Sequence, residues 1–121
     1  MPSIAREITR FTKKEVDYLF EHARSVLKNR SFTVLSAPRQ SPLCAKILIV
    51  VPKKVGNAPV RNKIRRQIKA IFYQEKLFES SCDYVFIIYK GVLALSFDEL
   101  KTLMLFIARK QSESANNVVS Q

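Results

Sequence analysis

Residues 53–69 hold seven lysine and arginine side chains and no carboxylate. Guanidinium groups bind phosphate oxygens through paired hydrogen bonds, and ammonium groups bind them as point charges. Arg61, Lys63, Arg65 and Arg66 fall where the pattern predicts the opening turns of a helix. That end of a helix is already partly positive, so each cation there is unfavourable by about 0.3–1 kcal/mol. The pattern indicates a surface for a polyanion, with an ordinary solvated basic face as the alternative.

The whole chain is basic. Its 121 residues carry a net charge of +11, and the pI is near 10. These values favour nucleic acid, an anionic membrane surface or an acidic protein as the partner. A membrane is the weakest of the three, because no apolar run approaches the roughly 20 residues that span a bilayer. The first ten residues also lack the apolar stretch of a signal peptide.

Groups for catalysis or metal binding by the protein are sparse. The only histidine is His22, and the ten carboxylates are scattered along the chain. A metal-dependent nuclease needs clustered carboxylates, and a metal-free one needs a histidine pair or an equivalent. Cys44 and Cys82 stand alone and are expected to be buried thiols in a reducing cytoplasm. We therefore predict no catalytic residue and no metal site in this chain.

Hydrophobic periodicity predicts one domain over 1–121, with a folded core at about 10–110. Residues 1–9 are predicted to form an arm, and residues 111–121 a disordered tail. Cap residues mark the helix starts at Thr12, Asn57 and Ser96. The predicted helices are 13–28, 58–77 and 97–110, and the predicted strands are 31–37, 45–51 and 84–89.

The order α-β-β-α-β-α predicts an α+β fold, a two-layer sandwich of a small mixed sheet packed with helices. Strands 45–51 and 84–89 form a βαβ crossover with the basic helix if they are parallel, and the general rule then favours a right-handed connection. Both strands are apolar almost throughout, which predicts burial on both faces.

Aromatic residues are a second clue to nucleic-acid binding. Phe11, Tyr18, Phe20 and Phe32 are candidates to stack on unpaired bases. Phe20 shares an apolar helix face with Val16, so burial in the core is the alternative for this ring. Composition and spacing alone therefore predict an α+β domain that binds RNA or DNA.

The segment from Lys53 reads KKVGNAPVRNKIRR. It resembles the signature of the protein subunit of bacterial ribonuclease P, in which a Lys-Lys-x-Gly-Asn-Ala turn precedes an Arg-Asn pair and further basic residues. The similarity extends over about residues 10–110. It includes the segment from Asn29 to Phe32 and the apolar strand that follows Asp83.

The resemblance implies a small basic cofactor of a catalytic RNA. In that family the RNA subunit carries out the chemistry, and the holoenzyme removes the 5′ leader from precursor tRNA. The reaction depends on Mg²⁺, which is expected to be bound mainly by the RNA. The implied partners are the catalytic RNA and precursor tRNA, with no membrane and no stable protein partner. The family's crossover is left-handed, against the general rule.

The resemblance also assigns two surfaces. The basic helix and the turn before it are implied to bind the RNA subunit through Lys54, Arg61, Asn62, Lys63, Arg65, Arg66 and Lys69. A cleft between the first helix and the sheet is implied to hold the single-stranded leader through Val16, Phe20, Thr33, Leu35, Lys53, Asn57 and Lys90.

The cleft departs from the family pattern at two positions. Val16 stands where the family often has phenylalanine, and Leu35 where an aromatic residue can occur, so Phe20 is expected to be the main stacking platform.

Two other functions are the alternatives: a structural RNA-binding protein of similar topology, and a protein that itself cleaves nucleic acid. The first would leave precursor tRNA processing unchanged, and the second would act without an RNA partner.

Overall fold

The computed structural model describes residues 3–119, with side chains up to Gln111. In chain order it contains α1 (Ile4–Glu7), α2 (Lys13–His22), β1 (Arg24–Lys28), β2 (Phe32–Pro38), β3 (Ile47–Val50), α3 (Ala58–Gln74), β4 (Cys82–Ile88) and α4 (Phe97–Val119). Short 3₁₀ turns occupy Lys53–Val55, Leu77–Glu79 and Lys90–Ala94. The predicted α+β class, a mixed sheet packed with helices, is confirmed.

The four strands form one sheet in the order β1-β2-β4-β3. β1 pairs with β2 and β2 with β4 in antiparallel fashion, whereas β3 and β4 are parallel. α3 connects the two parallel strands, so the predicted crossover is present; its left-handed sense stays a prediction. Because β3 and β4 run in the same direction, both end at one edge of the sheet, and the antiparallel β2 begins there.

The predicted helix 13–28 is wrong beyond residue 22. The backbone becomes extended at Ala23 (φ −72°, ψ 141°), and β1 follows at once. A register shift between Ser25 and Leu27 interrupts the alternation of β1, so both Val26 and Leu27 pack against the core. This irregularity hides the two-residue period by which a strand is recognised.

The N-terminal segment also differs from the predicted arm at 1–9. α1 forms within it, and Ile8 is fully buried in the core. The Ile8 carbonyl accepts a hydrogen bond from the Ile47 amide at 2.7 Å, which covers the start of the outer edge of β3. A segment this short offers too little periodicity to reveal its packing. The first two residues lie outside the described part of the chain.

The sheet has a core on each face, because successive strand residues point to opposite sides. On one face, α3 and α4 pack over β2, β3 and β4. The other face is covered by α2, whose Leu19 is fully buried against Ala37 and Val85, with Phe11 packed beside them. The predicted two-sided burial of β3 fails at its end, where Val50 is 37% exposed.

A buried polar cluster attaches the start of α2 to the sheet. The Lys46 ammonium donates to the Glu15 carboxylate at 2.8 Å and to the Arg10 carbonyl at 2.7 Å. The Asp83 carboxylate accepts the backbone amides of Lys46 at 2.8 Å and Gln40 at 3.2 Å. Gln40 also donates through its side chain to the Glu15 carbonyl at 2.9 Å. Every charge in the cluster has at least one hydrogen-bond partner, which lowers the penalty for burying it.

The pKa values of the two carboxylates in this cluster are shifted in opposite directions. Burial raises the pKa of Asp83, and the hydrogen bonds from the Lys46 and Gln40 amides offset only part of this effect. Burial also acts to raise the pKa of Glu15. Its hydrogen bonds with Lys46 and Thr12 outweigh burial and hold that pKa below its ordinary value.

α4 begins with the predicted cap. The Ser96 amide donates to the Glu99 carboxylate at 2.9 Å, and the Glu99 amide donates to the Ser96 hydroxyl at 3.1 Å. The helix continues to Val119, so the predicted disordered tail 111–121 overlaps it; the last two residues lie outside the described part. Within that part, no helix is long and apolar enough to cross a membrane.

Replacing Glu15 by glutamine should change how stability depends on pH. A carboxyl whose folded pKa is depressed stabilises the fold above its unfolded pKa, and this contribution is lost as the pH falls through the folded pKa. We expect the wild-type protein to be more stable than Glu15→Gln near neutral pH, and the difference to shrink below pH 4.5, the ordinary value for this carboxyl. Urea unfolding across pH measures it. Asp83 titrates in both proteins, and its pKa should be somewhat lower in the variant, because the Glu15 charge no longer raises it. A difference that grows on acidification would contradict the pairing with Lys46.

Candidate nucleic-acid interface

α3 carries the predicted basic surface. Asn57 caps the helix as predicted, since its side-chain carbonyl accepts a hydrogen bond from the Val60 amide at 3.1 Å, and Pro59 lies in the first turn. That turn contains no acidic residue. The buried side of the helix consists of Ile64, Ile68, Ile71 and Phe72. α3 is therefore anchored along one side, and its basic side is left at the surface.

The residues assigned to RNA-subunit binding lie at different depths. Lys54, Asn62, Lys63 and Arg66 are exposed, and Arg61, Arg65 and Lys69 are half-buried. The Arg61 Nε is buried and has no hydrogen-bond partner among the described residues. The Asn62 side-chain carbonyl accepts a hydrogen bond from Arg65 Nη1 at 3.0 Å. This bond orients the Arg65 guanidinium and leaves the Asn62 amide NH₂ free to donate to a ligand.

Two hollows meet at Arg65 and Arg66. One, of about 700 Å³, is lined by these arginines together with Ala58, Pro59 and Asn62. The other, of about 300 Å³, separates α3 from the outer edge of β3 and is lined by the same arginines with Thr9, Lys69 and residues 47–49. Both hollows are open and have cationic walls. This shape suits a phosphate backbone better than a compact apolar ligand, which needs an enclosed pocket.

The protein does not neutralise these cations itself. The ion pairs among the described residues are Arg10–Glu7, Lys46–Glu15 and Lys101–Glu75, so no cation of α3 takes part in one. The start of a helix is positive in its own right. The first half of α3 therefore concentrates unbalanced positive charge, and a polyanion bound there would release its counterions.

The second predicted surface lies on the opposite face of the sheet, beside α2. Val16 and Phe20 are one helical turn apart and share a side of α2, next to the anchoring Leu19. Phe20 is 48% exposed, and Val16 is half-buried. This exposure removes the alternative that Phe20 belongs to the core and leaves its ring open to an unpaired base.

The floor beside α2 is one face of β2 and β4 together with the end of β3. Thr33 and Leu35 of β2 lie opposite Ile87 and Val85 of β4. Thr33 is almost fully buried, and the Thr33 and Tyr89 hydroxyl oxygens lie 2.6 Å apart in a hydrogen bond. The floor is therefore apolar with one pair of hydroxyl groups at its end, a combination suited to stacking and to a few directed hydrogen bonds.

Sequence reasoning missed three residues of this floor: Val50, Ile87 and Tyr89. Val50 lies opposite Ile87 in the parallel ladder, and Ile87 and Tyr89 are half-buried. One signal was present, because strand alternation places Ile87 and Tyr89, the residue that follows β4, on one face of the sheet. Which residues neighbour them depends on the strand order, and spacing along the chain does not reveal that order.

The assigned rim residues are exposed at the edge where β3 and β4 end. Lys53 begins the 3₁₀ turn after β3, and Lys90 begins the turn after β4. The Asn57 side-chain carbonyl is engaged in capping α3, so the side-chain NH₂ group is what remains to bind a ligand. The topology thus brings the three rim positions to one edge of the sheet.

The described residues gather no metal-binding cluster, since no three His, Cys, Asp or Glu side chains among them are placed to share an ion. His22 Nδ1 lies 3.0 Å from the Tyr18 carbonyl oxygen, and the two rings stack with centroids 4.0 Å apart. His22 therefore interacts with its own helix. The predicted absence of catalytic residues stays a prediction.

Known proteins are similar to this chain in sequence and in fold. The ribonuclease P family model matches residues 7–117. A ribonuclease P protein component from Bacillus velezensis is 35% identical over 104 residues, covering 83% of this chain and 87% of the relative. One from Shouchella clausii is 31% identical over 98 residues, covering 80% of each. The RNase P protein of Thermotoga maritima has the same fold, with a TM-score of 0.67 at 24% identity over 84% of this chain and 96% of that one.

Arg66→Ala should weaken RNA binding and leave the fold intact, because Arg66 is exposed and lines both hollows. Loss of one phosphate contact lowers the slope of log affinity against log salt by about one unit. Filter binding of a structured RNA across a salt series measures that slope. Arg109→Ala removes an exposed arginine from α4 and serves as the matched control. Equal slopes for the wild-type protein and both variants would exclude Arg66 from the interface.

Proposed function

The chain belongs to the ribonuclease P protein family, and on that premise we propose how it serves the endoribonuclease complex of which such proteins are components. It binds the RNA subunit through the basic side of α3, and the single-stranded 5′ leader of precursor tRNA through the cleft beside α2. The observation that carries this proposal is that the two surfaces belong to opposite faces of one sheet. One small protein thereby contacts two RNAs at once.

Binding of the RNA subunit rests on arginines that are held in place before the RNA arrives. Arg65 is oriented by Asn62, and Arg66 lies beside it between the two hollows. Paired hydrogen bonds to phosphate oxygens require a guanidinium in a defined orientation, and orientation in advance lowers the entropy cost of binding. Lys54 and Lys63 line neither hollow and add long-range attraction.

Binding of the leader rests on the exposed ring of Phe20 and the hydroxyl pair of Thr33 and Tyr89. Single-stranded RNA exposes bases that stack on aromatic rings, and its 2′-hydroxyl groups both donate and accept hydrogen bonds. Lys53 and Lys90, at the rim, contact the leader phosphates. A mature tRNA has no leader and gains nothing from these contacts, so the cleft favours substrate over product.

In this proposal the chain positions the substrate and the RNA subunit carries out the cleavage. Mg²⁺ is required by the holoenzyme and supplies charge stabilisation at the scissile phosphate when bound by the RNA. The described residues offer no cluster of carboxylates for a resident ion, so no step is assigned to a metal on this protein. Holding the leader fixes the scissile bond relative to the RNA and converts a loose encounter into an oriented one. We place this activity in the cytoplasm, a reducing compartment that suits the free thiols of Cys44 and Cys82.

A cleavage assay on precursor tRNA tests the proposal with three samples: protein alone, the catalytic RNA alone at low Mg²⁺, and both together. We expect cleavage in the mixture only, with a mature 5′ end. No stimulation by a folded protein that still binds RNA would favour a structural RNA-binding role. Cleavage by the protein alone would place the chemistry on this chain and overturn the proposal.

Phe20→Ala should weaken the binding of precursor tRNA to the assembled enzyme by about 1–3 kcal/mol, the contribution of one base stacked on an aromatic ring. Mature tRNA should bind equally well to both enzymes. Phe106→Ala is the matched control, because Phe106 is a similarly exposed ring on α4, at 53%. Equal losses for precursor and mature tRNA would show that Phe20 supports the fold and does not contact the leader.

A further inference from the structure

The loop between β1 and β2 is in backbone contact with the turn that follows β4. The Tyr89 amide donates to the Ser31 carbonyl at 2.9 Å, which extends the β2–β4 ladder by one pair beyond Phe32 and Ile88. Gly91 lies against Arg30, the residue before Ser31, since a Cβ atom at position 91 would be 2.4 Å from the Arg30 carbonyl oxygen. No real side chain tolerates that distance, so the glycine allows the contact. The Arg30 backbone therefore adjoins the turn that carries Lys90.

The loop that carries Arg30 is closed by its own hydrogen bonds. The Asn29 side-chain carbonyl accepts the Ser31 amide at 2.8 Å and the Phe32 amide at 2.9 Å. The Asn29 backbone amide donates to the Phe32 backbone carbonyl at 3.0 Å. Arg30 therefore lies at the tip of a short, tied loop, and its backbone position is set before any ligand binds.

Two exposed cations, Arg30 and Lys90, flank this backbone contact. Neither forms an ion pair or a side-chain hydrogen bond with another described residue. Like charges held close to each other repel. The glycine contact fixes the Arg30 backbone beside the turn that carries Lys90, and an anion bound between the two side chains would offset their repulsion.

We propose that Arg30 and Lys90 together clamp a phosphate of the 5′ leader where it leaves the cleft. This inference rests on the proposed leader function and adds to it a contact beyond the floor. The clamp adjoins the end of the floor along both segments of the chain. Arg30 is three residues before Thr33, and Lys90 is the residue after Tyr89, the pair of hydroxyl groups at the end of the floor. The RNA subunit is assigned to α3, which packs on the other face of the sheet. The clamp therefore belongs to the leader and reads backbone charge, not base sequence.

The test uses the reconstituted holoenzyme with Arg30→Ala. Its substrates are a precursor tRNA with a long leader, one whose leader ends within the cleft, and mature tRNA. We expect about a fivefold loss of affinity for the long leader alone, the scale of one surface charge pair. The salt slope on that substrate should fall by about 0.7, the value for one phosphate of a single strand. Arg30→Lys should restore most of the affinity.

Control variants distinguish loss of the clamp from a general loss of charge or of folding. Arg24→Ala removes an exposed arginine at the opposite end of β1 and should match the wild-type protein on every substrate. Arg30→Ala should unfold at the same temperature or a higher one, because it removes a repulsion. Arg30→Gln keeps most of the aliphatic stem, and this variant is used in place of Arg30→Ala if the alanine variant does not fold. Affinity for the RNA subunit alone should be unchanged in all of them.

Each other outcome overturns a defined part of the inference. Weaker binding of the RNA subunit by Arg30→Ala would assign the phosphate to that RNA. Equal losses on all three substrates, or no loss on any, would exclude the clamp while the leader function stands. A wild-type enzyme with no preference for precursor over mature tRNA would overturn the leader function, and the clamp with it.

Discussion

The position of α2 depends on one buried ammonium group. Lys46 reaches from the start of β3 to the first turn of α2, where it binds the Glu15 carboxylate and the Arg10 carbonyl. Leu19 is the only fully buried side chain of that helix and contributes roughly 1.5–3 kcal/mol. A face that keeps part of its floor open for a ligand has little apolar area left to hold a helix. Directional polar bonds solve this problem, since they fix α2 at one end without covering the floor.

The parallel pairing of β3 and β4 determines where the positive charge collects. Both strands end at the edge where β2 begins, and α3 must start there to return the chain to β4. The loop after β1, the turns after β3 and β4 and the first turn of α3 therefore share one edge. Each of these connections carries lysine or arginine, so four separate segments place cations at one end of the sheet. A strand order with antiparallel β3 and β4 would have placed Lys53 and Lys90 at opposite ends.

Local features were predictable from the sequence, and contacts between distant segments were not. The cap at Asn57 and the apolar period of α3 lie within a few turns, so the helix and its basic side follow from the residues themselves. β1 was missed because its irregular register erases the strand period. The contact of Lys46 with α2 and the Thr33–Tyr89 bond join residues far apart in the chain. The cleft was predicted only through the family resemblance, because no spacing rule indicates which strands adjoin a helix.

The charge distribution sacrifices stability of the free protein for affinity. Arg61 has a buried Nε without a partner among the described residues, and an unsatisfied buried donor costs about 1–3 kcal/mol. Cations in the opening turns of α3 and at Arg30 and Lys90 add smaller costs. RNA bound at either surface relieves the repulsion among the cations there, and a ligand that binds only the folded state stabilises that state further. A variant with a neutral α3 should therefore be the more stable protein when free and the less stable one when RNA is present.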